Sequence, residues 1–443
     1  MNRLLIFSLL VLLGACLSEE KADLAKPSTF TRYFSDGYQN TAVTIEETAD
    51  TETSQTGFII LANSEIQNSN AEPLRNKILL IKTDQFGNEV WRMHYPEISA
   101  DTKLYMGHSL IILPAGTALP KGGYLITGEE IVHVDGEEDL KHLLLLVVDE
   151  NGVVKNTLPS PYIFPADKSI IGQSSALGPN GNYIVLASAP PLTLGNNIFV
   201  AEIYPLGHAK ALDTVWTRNY GQGTSNLANK VFYSEATNPP TIYWGGDTRQ
   251  FAGLSGGFVT RSELDTETPG NGQTDRIGPT ASNIFAGDFC RKGETFGFVG
   301  STEANDAGDI AFYSVLSTGS PGSSQEIYTT TIFNDPTVTA DKNNKKEVAN
   351  SISPTTEGGY IILGTIDSYT DPILGAGDTD MLLLKINGFG DKEWTRTYGS
   401  LQADGGNCIR QTTDGGYIVL GTSNFGAQNT ILLIKTDKNG EVD

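Results

Sequence analysis

A short apolar run headed by a large residue, usually aromatic, returns along this chain at a nearly constant interval. No other feature constrains the fold as much. The clearest copies start at Tyr360 (Tyr-Ile-Ile-Leu-Gly) and Tyr417 (Tyr-Ile-Val-Leu-Gly), each preceded by a Gly-Gly turn. Sliding that template back finds Phe58, Tyr124, Tyr183, the degenerate Ile242, and Phe296. The steps between successive anchors are 66, 59, 59, 54, 64 and 57 residues. Seven units of about sixty residues are too long for most solenoid repeats and fit propeller blades.

Each unit reads as four strands. A first strand such as Asn350 to Ser353 enters a Thr-Thr-Glu-Gly-Gly turn, whose glycines allow positive φ. The anchored strand follows, then a variable loop, then a Leu-Leu-Leu-Lys strand such as 382–385. An outer strand such as Glu393 to Tyr398 closes the unit. The middle strands are apolar at successive positions, which requires burial on both faces, and stacked blades supply it. The outer strand alternates, with Trp394, Arg396 and Tyr398 on one side, as a sheet edge should.

The seventh unit stops at Asp443 without an outer strand, and the missing piece stands at the other end. Phe30-Thr-Arg-Tyr33 resembles Trp394-Thr-Arg-Thr-Tyr398 and precedes a first-strand match, Thr41 to Ile45. The expectation is therefore an all-β, seven-bladed β-propeller over 30–443, with four-stranded blades and a ring closed by the N-terminal strand completing the last blade. The pattern resembles kelch-type propellers. It is closer still to the Asp-Gly-Gly-Tyr-Ile repeat proteins found among secreted and surface lipoproteins of the Bacteroidota. The resemblance runs from about Phe30 to the end and is weakest around 241–335. It implies a propeller, but that family is functionally diverse, so no reaction follows from it.

The first residues point to a membrane anchor. Met1, Asn2 and Arg3 precede an apolar run from Leu4 to Leu13, too short to span a bilayer but suited to a signal-peptide core. Leu13-Gly14-Ala15-Cys16 resembles the lipobox of bacterial lipoproteins, which makes 1–15 a signal peptide and Cys16 the lipid attachment site. The polar stretch 16–29 then reads as a lipidated tether. Ser18-Glu19-Glu20 resembles the surface-export signal of Bacteroidota lipoproteins, so the expected location is the outer membrane, facing the cell surface. Acyl chains at roughly 0.8 kcal/mol per buried CH₂ anchor a protein without any transmembrane helix.

Charge narrows the partners. A formal net charge of −22 and a pI near 4.6 lack the basic footprint of nucleic-acid binding. Apart from Cys16, the only cysteines are Cys290 and Cys408, two blades apart, where small buried thiols are the plainer reading than a disulfide.

Motifs of chemistry are sparse. The five histidines show no zinc spacing, no Cys-x-x-Cys is present, and neither a metal site nor a cofactor is expected. Gly253-Leu-Ser-Gly-Gly257 matches a nucleophile elbow in letters, but the Phe258-Val-Thr that follows reads as a strand rather than a helix. Turns such as Thr83 to Asn88, Asp149 to Gly152 and Thr436 to Glu441 superficially resemble calcium loops. They read better as hairpins.

One polar position recurs at the start of the innermost strands: Gln173, Asn350 and Asn407, with His108, Asn229 and Ser282 as looser equivalents. Residues there either line a ligand site at the channel mouth or cap strand ends and hold channel water, the second being the plainer reading. The chain is accordingly expected not to be an enzyme. It reads first as a binding or scaffold lipoprotein, an accessory subunit that holds an outer-membrane protein partner for uptake or secretion. The alternatives are a carbohydrate-binding propeller presenting aromatics to a glycan, and a propeller hydrolase or lyase with acids at the channel mouth.

Overall fold

The computed structural model describes residues 29–442 except for 50–55, 67–74, 97–103, 134–138, 160–168, 190–196, 221–225, 252–253, 266–267, 278–283, 294, 303–308, 317–326, 334–345, 368–377 and 426–427. Cys16, the signal segment and the tether lie outside the described residues. So does Ser282.

Strand β1 (Phe30–Phe34) comes first. Blade 1 follows as β2 (Gln39–Ala49), β3 (Thr56–Ile66), β4 (Arg75–Asp84) and β5 (Glu89–Tyr95). Blade 2 is β6 (Leu104–Leu113), β7 (Gly123–Val132), β8 (Leu140–Asp149) and β9 (Val154–Pro159). Blade 3 is β10 (Ile171–Leu177), β11 (Tyr183–Ala189), β12 (Asn197–Ile203) and β13 (Thr214–Asn219). Blade 4 is β14 (Asn226–Ser234), β15 (Thr241–Phe251) and β16 (Leu254–Asp265), with a two-residue strand β17 (Thr268–Pro269) and the outer strand β18 (Gln273–Ile277). Blade 5 is β19 (Ile284–Lys292), β20 (Thr295–Thr302), β21 (Ile310–Leu316) and β22 (Ile327–Phe333). Blade 6 is β23 (Glu347–Pro354), β24 (Tyr360–Asp367), β25 (Thr379–Ile386) and β26 (Lys392–Tyr398). Blade 7 is β27 (Asp404–Gln411), β28 (Tyr417–Phe425) and β29 (Gln428–Thr436), completed by β1. All pairings are antiparallel, and the fold is a seven-bladed β-propeller.

Ring closure follows the sequence expectation. β1 pairs with β29 in continuous register from Phe30↔Lys435 to Phe34↔Ile431. Phe30 and Phe34 are buried in one apolar cluster with Ile45 and Phe58 of blade 1 and with Leu420 and Leu433 of blade 7. The bridging strand thus carries hydrophobic burial as well as ladder bonds.

Every blade-to-blade interface holds one such cluster. Between blades 6 and 7, Ile361, Leu363 and Leu383 meet Ile409, Tyr417 and Val419. The alternate residues of the same strand, Tyr360 and Ile362, pack toward Val299 and Phe312 of blade 5. One strand therefore serves two cores, which explains why the middle strands carry no polar alternation. Trp394 and Tyr398 cover the edge of the cluster between blades 6 and 7, and Arg396 lies 5.4 Å over the Trp394 ring.

The calcium-like turns are closed by their own side chains. Asp84 Oδ1 accepts the Phe86 and Asn88 amides at 2.9 and 2.8 Å, and Asp437 Oδ1 those of Asn439 and Glu441, both at 2.8 Å. Both are Asx turns, the first joining β4 to β5 and the second following β29. The elbow-like string contributes Leu254 to Gly257 to the start of β16, which pairs with β15, so a hairpin stands where a strand-to-helix elbow would be needed. Cys290 and Cys408 are free and buried, as expected.

Candidate functional site

The innermost strand of every blade is interrupted by a β-bulge at an equivalent place. The register shifts fall between Ala42 and Thr44, Gly107 and Ser109, Gly172 and Ser174, Ala228 and Lys230, Ala286 and Asp288, Ala349 and Ser351, and Gly406 and Cys408. The residues lifted out of the ladder are Val43, His108, Gln173, Asn229, Gly287, Asn350 and Asn407. Of these, His108, Gln173, Asn229, Gly287, Asn350, Asn407 and Val43 all line one cavity of about 410 Å³ on the ring axis. A bulge re-aims a side chain and breaks pairing locally, so seven equivalent bulges aim seven residues at the channel.

A small residue precedes each bulge, for a steric reason. A Cβ on Gly107 would stand 2.8 Å from Leu61 Cδ1, and one on Gly406 2.6 Å from Leu363 Cγ, both in the preceding blade. A Cβ on Gly172 would meet Leu143 of blade 2 and come within 2.7 Å of the Gly128 carbonyl oxygen. The inner strands approach the neighbouring blade that closely only where side chains are absent or minimal.

Five of the six channel residues expected from sequence therefore stand where they were placed. Ser282 lies outside the described residues, and the bulge residue of blade 5 is Gly287. Two additional signals were missed. Val43 fills the same position with an apolar side chain, and the residues just beyond the bulges bring Glu46, Lys230, Asp288 and Arg410 into the wall.

Second-strand polar groups hold the bulge amides. Gln173 Nε2 donates to Ser188 Oγ at 3.0 Å, Asn350 Nδ2 to Thr365 Oγ1 at 2.8 Å, and Thr422 Oγ1 to Asn407 Oδ1 at 3.0 Å. Several of these positions also latch the next blade. The Gly406 amide donates to Thr365 Oγ1 at 3.3 Å, that of Ala42 to Thr422 Oγ1 at 3.1 Å, and that of Ala349 to Ser301 Oγ at 3.0 Å. Inner strands are sheet edges, and these hydroxyls satisfy amides that the ladder leaves over. Capping and cavity lining are both realised, by different atoms of one network.

The charged groups of the wall are neutralised in pairs. Arg410 Nε and Nη2 both donate to Glu46 Oε1, at 3.0 and 2.9 Å, joining the last blade to the first. Lys230 Nζ lies 2.6 Å from Asp288 Oδ1, while Asp288 Oδ2 accepts the Ser351 hydroxyl at 3.3 Å and the Ile352 amide at 3.1 Å. His108 Nε2 stands 3.6 Å from Glu129 Oε1, and Lys141 Nζ donates to that same oxygen at 3.3 Å. Burial alone would raise the Glu129 carboxyl. The bonds and charges of His108 and Lys141 outweigh burial and hold it below its ordinary value.

Aromatics that a glycan-binding propeller could present divide. Tyr243 and Trp244 are buried in blade interfaces and pack. Tyr204 stacks on His208, ring centroids 4.1 Å apart, while Tyr162 and Tyr369 lie outside the described residues. Among the described residues no group of three or more His, Cys, Asp or Glu is arranged to hold a metal ion, and no helix is long and apolar enough to cross a membrane.

Fold and site together define a seven-bladed propeller with a cavity on its axis into which amide side chains are aimed. No protein-family model and no curated protein matches the sequence. Solved structures do match in fold. A Penicillium chrysogenum alpha-L-arabinanase complexed with arabinobiose is similar at 13% identity over 76% of this chain and 99% of that chain, TM-score 0.43. Drosophila Plexin A in complex with Semaphorin 1b is 8% identical over 91% and 86% of the two chains, TM-score 0.45. The NanB sialidase from Streptococcus pneumoniae is 11% identical over 94% and 71%, TM-score 0.42. At such identities the likeness is one of fold alone. The expectation that the chain is not an enzyme is corrected here: the solved structures it matches in fold include an arabinanase and a sialidase, and a lack of familiar motifs excludes no reaction.

Proposed function

We propose that the axial cavity binds a small, uncharged, hydroxyl-rich ligand, and that the chain is a carbohydrate-binding propeller. One observation carries this reading: bulges converge three hydrogen-bonded amides, Gln173, Asn350 and Asn407, on one cavity of about 410 Å³. A primary amide offers a carbonyl acceptor and two donors side by side, which matches vicinal hydroxyls. Each is held by a second-strand hydroxyl, so little side-chain freedom is lost on binding. The wall's cations, Arg410 and Lys230, are spent on Glu46 and Asp288, which favours a neutral sugar over an anionic one.

This reading displaces the protein-holding scaffold. The most exposed large apolar side chains among the described residues, Phe389 and Leu401 at 78% and 77%, flank opposite ends of β26 and do not make one patch. Anchoring at Cys16 on the outer membrane, facing outward, belongs to the same proposal and would present the cavity to external glycans.

The test is a glycan array probed with the labelled wild-type chain and with Asn350→Ala and Asn407→Ala. Neutral oligosaccharides retained by the wild type should be lost on both variants. Retention unchanged in both would remove the cavity from consideration as the glycan site.

A further inference from the structure

Of the seven bulge positions, only blade 2 presents a side chain that changes protonation near neutral pH. His108 occupies it, and its setting differs from that of the amides. Glu129, on the second strand beside it, is 2% exposed and faces the imidazole with Oε1 at 3.6 Å. Lys141 donates to the same carboxylate oxygen at 3.3 Å. Where Gln173 and Asn350 meet a hydroxyl, His108 meets an ionised carboxylate. That arrangement sets an imidazole nitrogen at ion-pair distance from a buried carboxylate, the kind of partner that orients a general base.

We propose that His108, positioned by Glu129, is a general base that hydrolyses an ester on a carbohydrate bound in the cavity. The proposal rests on the glycan reading of that cavity and assigns it a reaction. Water gives a proton to the imidazole as its oxygen bonds to the acyl carbon. The tetrahedral intermediate then breaks its bond to the sugar oxygen, which takes the proton back from the imidazolium. The products are a carboxylic acid and the free sugar hydroxyl, and the balance needs no oxidant or cofactor. Gln173, at the bulge of the adjacent blade, supplies an amide N–H to the bound acyl group.

Ester cleavage fits the wall better than glycosidic cleavage. Breaking a glycosidic bond calls for a protonated carboxylic acid at the leaving oxygen, paired with a second carboxylate. Glu46, Asp288 and Glu129 are each engaged by a cation, Arg410, Lys230 or Lys141, so none stands free to deliver a proton to a leaving oxygen. An imidazole with a carboxylate behind it supplies both the proton acceptor and the proton donor that an ester requires.

His108→Gln is a clean probe, because Gln173 already occupies the same bulge in the next blade and the substitution is compatible with the fold. The experiment follows acetate release by the full chain from acetylated xylo-, manno- and gluco-oligosaccharides. Binding of the deacetylated sugars is measured in parallel by calorimetry. His108→Gln should lower turnover on the order of 10² to 10⁴-fold with binding retained. Glu129→Gln should lower kcat less than His108→Gln does and leave KM unchanged, a split that a purely structural role would not cause. Sugar binding without turnover above His108→Gln would overturn the proposal and leave the cavity reading intact. Neither binding nor turnover would overturn both.

Discussion

Arg410 and Glu46 stand 364 positions apart in sequence, yet two guanidinium nitrogens of the one share a single carboxylate oxygen of the other. The pair joins the last blade to the first at the wall of the cavity, so ring closure and site are built from some of the same atoms. Both side chains are largely shielded, at 23% and 29% exposure. Arg410→Ala should cost about 1.5–3 kcal/mol of unfolding free energy, since it strands a charged acceptor. Denaturant unfolding reads this directly, and Arg410→Ala and Glu46→Gln combined should cost less than the sum of the two.

Closure also depends on Phe30, which is buried against Phe58 with ring centroids 6.3 Å apart. Phe30→Ala should destabilise by about 3–5 kcal/mol, the range for a core aromatic. A loss under about 1 kcal/mol by thermal or chemical melting would mean that β1 contributes little to closing the ring.

The small residue before each bulge is equally exacting. Gly172→Ala places a methyl group against Leu143 and 2.7 Å from a backbone oxygen of blade 2 that cannot move independently. The expected cost is about 1–3 kcal/mol. Gly181→Ala makes a contrast, because no atom lies within 4 Å of the added carbon and only its φ of +78° opposes the change. Melting curves of the two variants separate crowding from backbone strain.

Acid should loosen the link between β1 and β2 late. Burial would raise the Asp36 carboxyl, but hydrogen bonds from His94 and Asn40 and the Tyr38 amide bring it down to about 2. A depressed carboxylate adds stability that is fully present above the unfolded value, about 3.9, and vanishes as pH falls to the folded one. Asp36→Asn should therefore narrow its stability deficit against wild type as unfolding is measured at pH 5, 3.5 and 2. A deficit constant across that range would contradict the assignment.

How much of this could be read from the sequence depends on what each signal measures. All seven second-strand anchors, even the degenerate Ile242, occupy equivalent register positions, because burial on both faces leaves the composition no freedom. The channel position was legible where the side chain is polar and the inner turn matches the template length, as at Gln173, Asn350 and Asn407. Blade 5 broke both conditions. Its inner turn is one residue shorter and its bulge carries Gly287, which offers no polar side chain to match. The alternation of a small residue before each bulge, from Ala42 to Gly406, would have placed Gly287 correctly. Glu46 and Arg410 were invisible, because pairing across the closing interface has no local signature.

The most direct test of the cavity as the glycan site is photo-crosslinking. A diazirine-bearing form of a neutral oligosaccharide that the wild type retains is irradiated with the full chain, and the labelled peptides are mapped by mass spectrometry. Labels concentrated on inner-strand peptides, those containing His108, Gln173, Asn350 and Asn407, are the predicted result. Labels confined to the outer strands and their turns, such as those around Phe86 and Phe389, would contradict it.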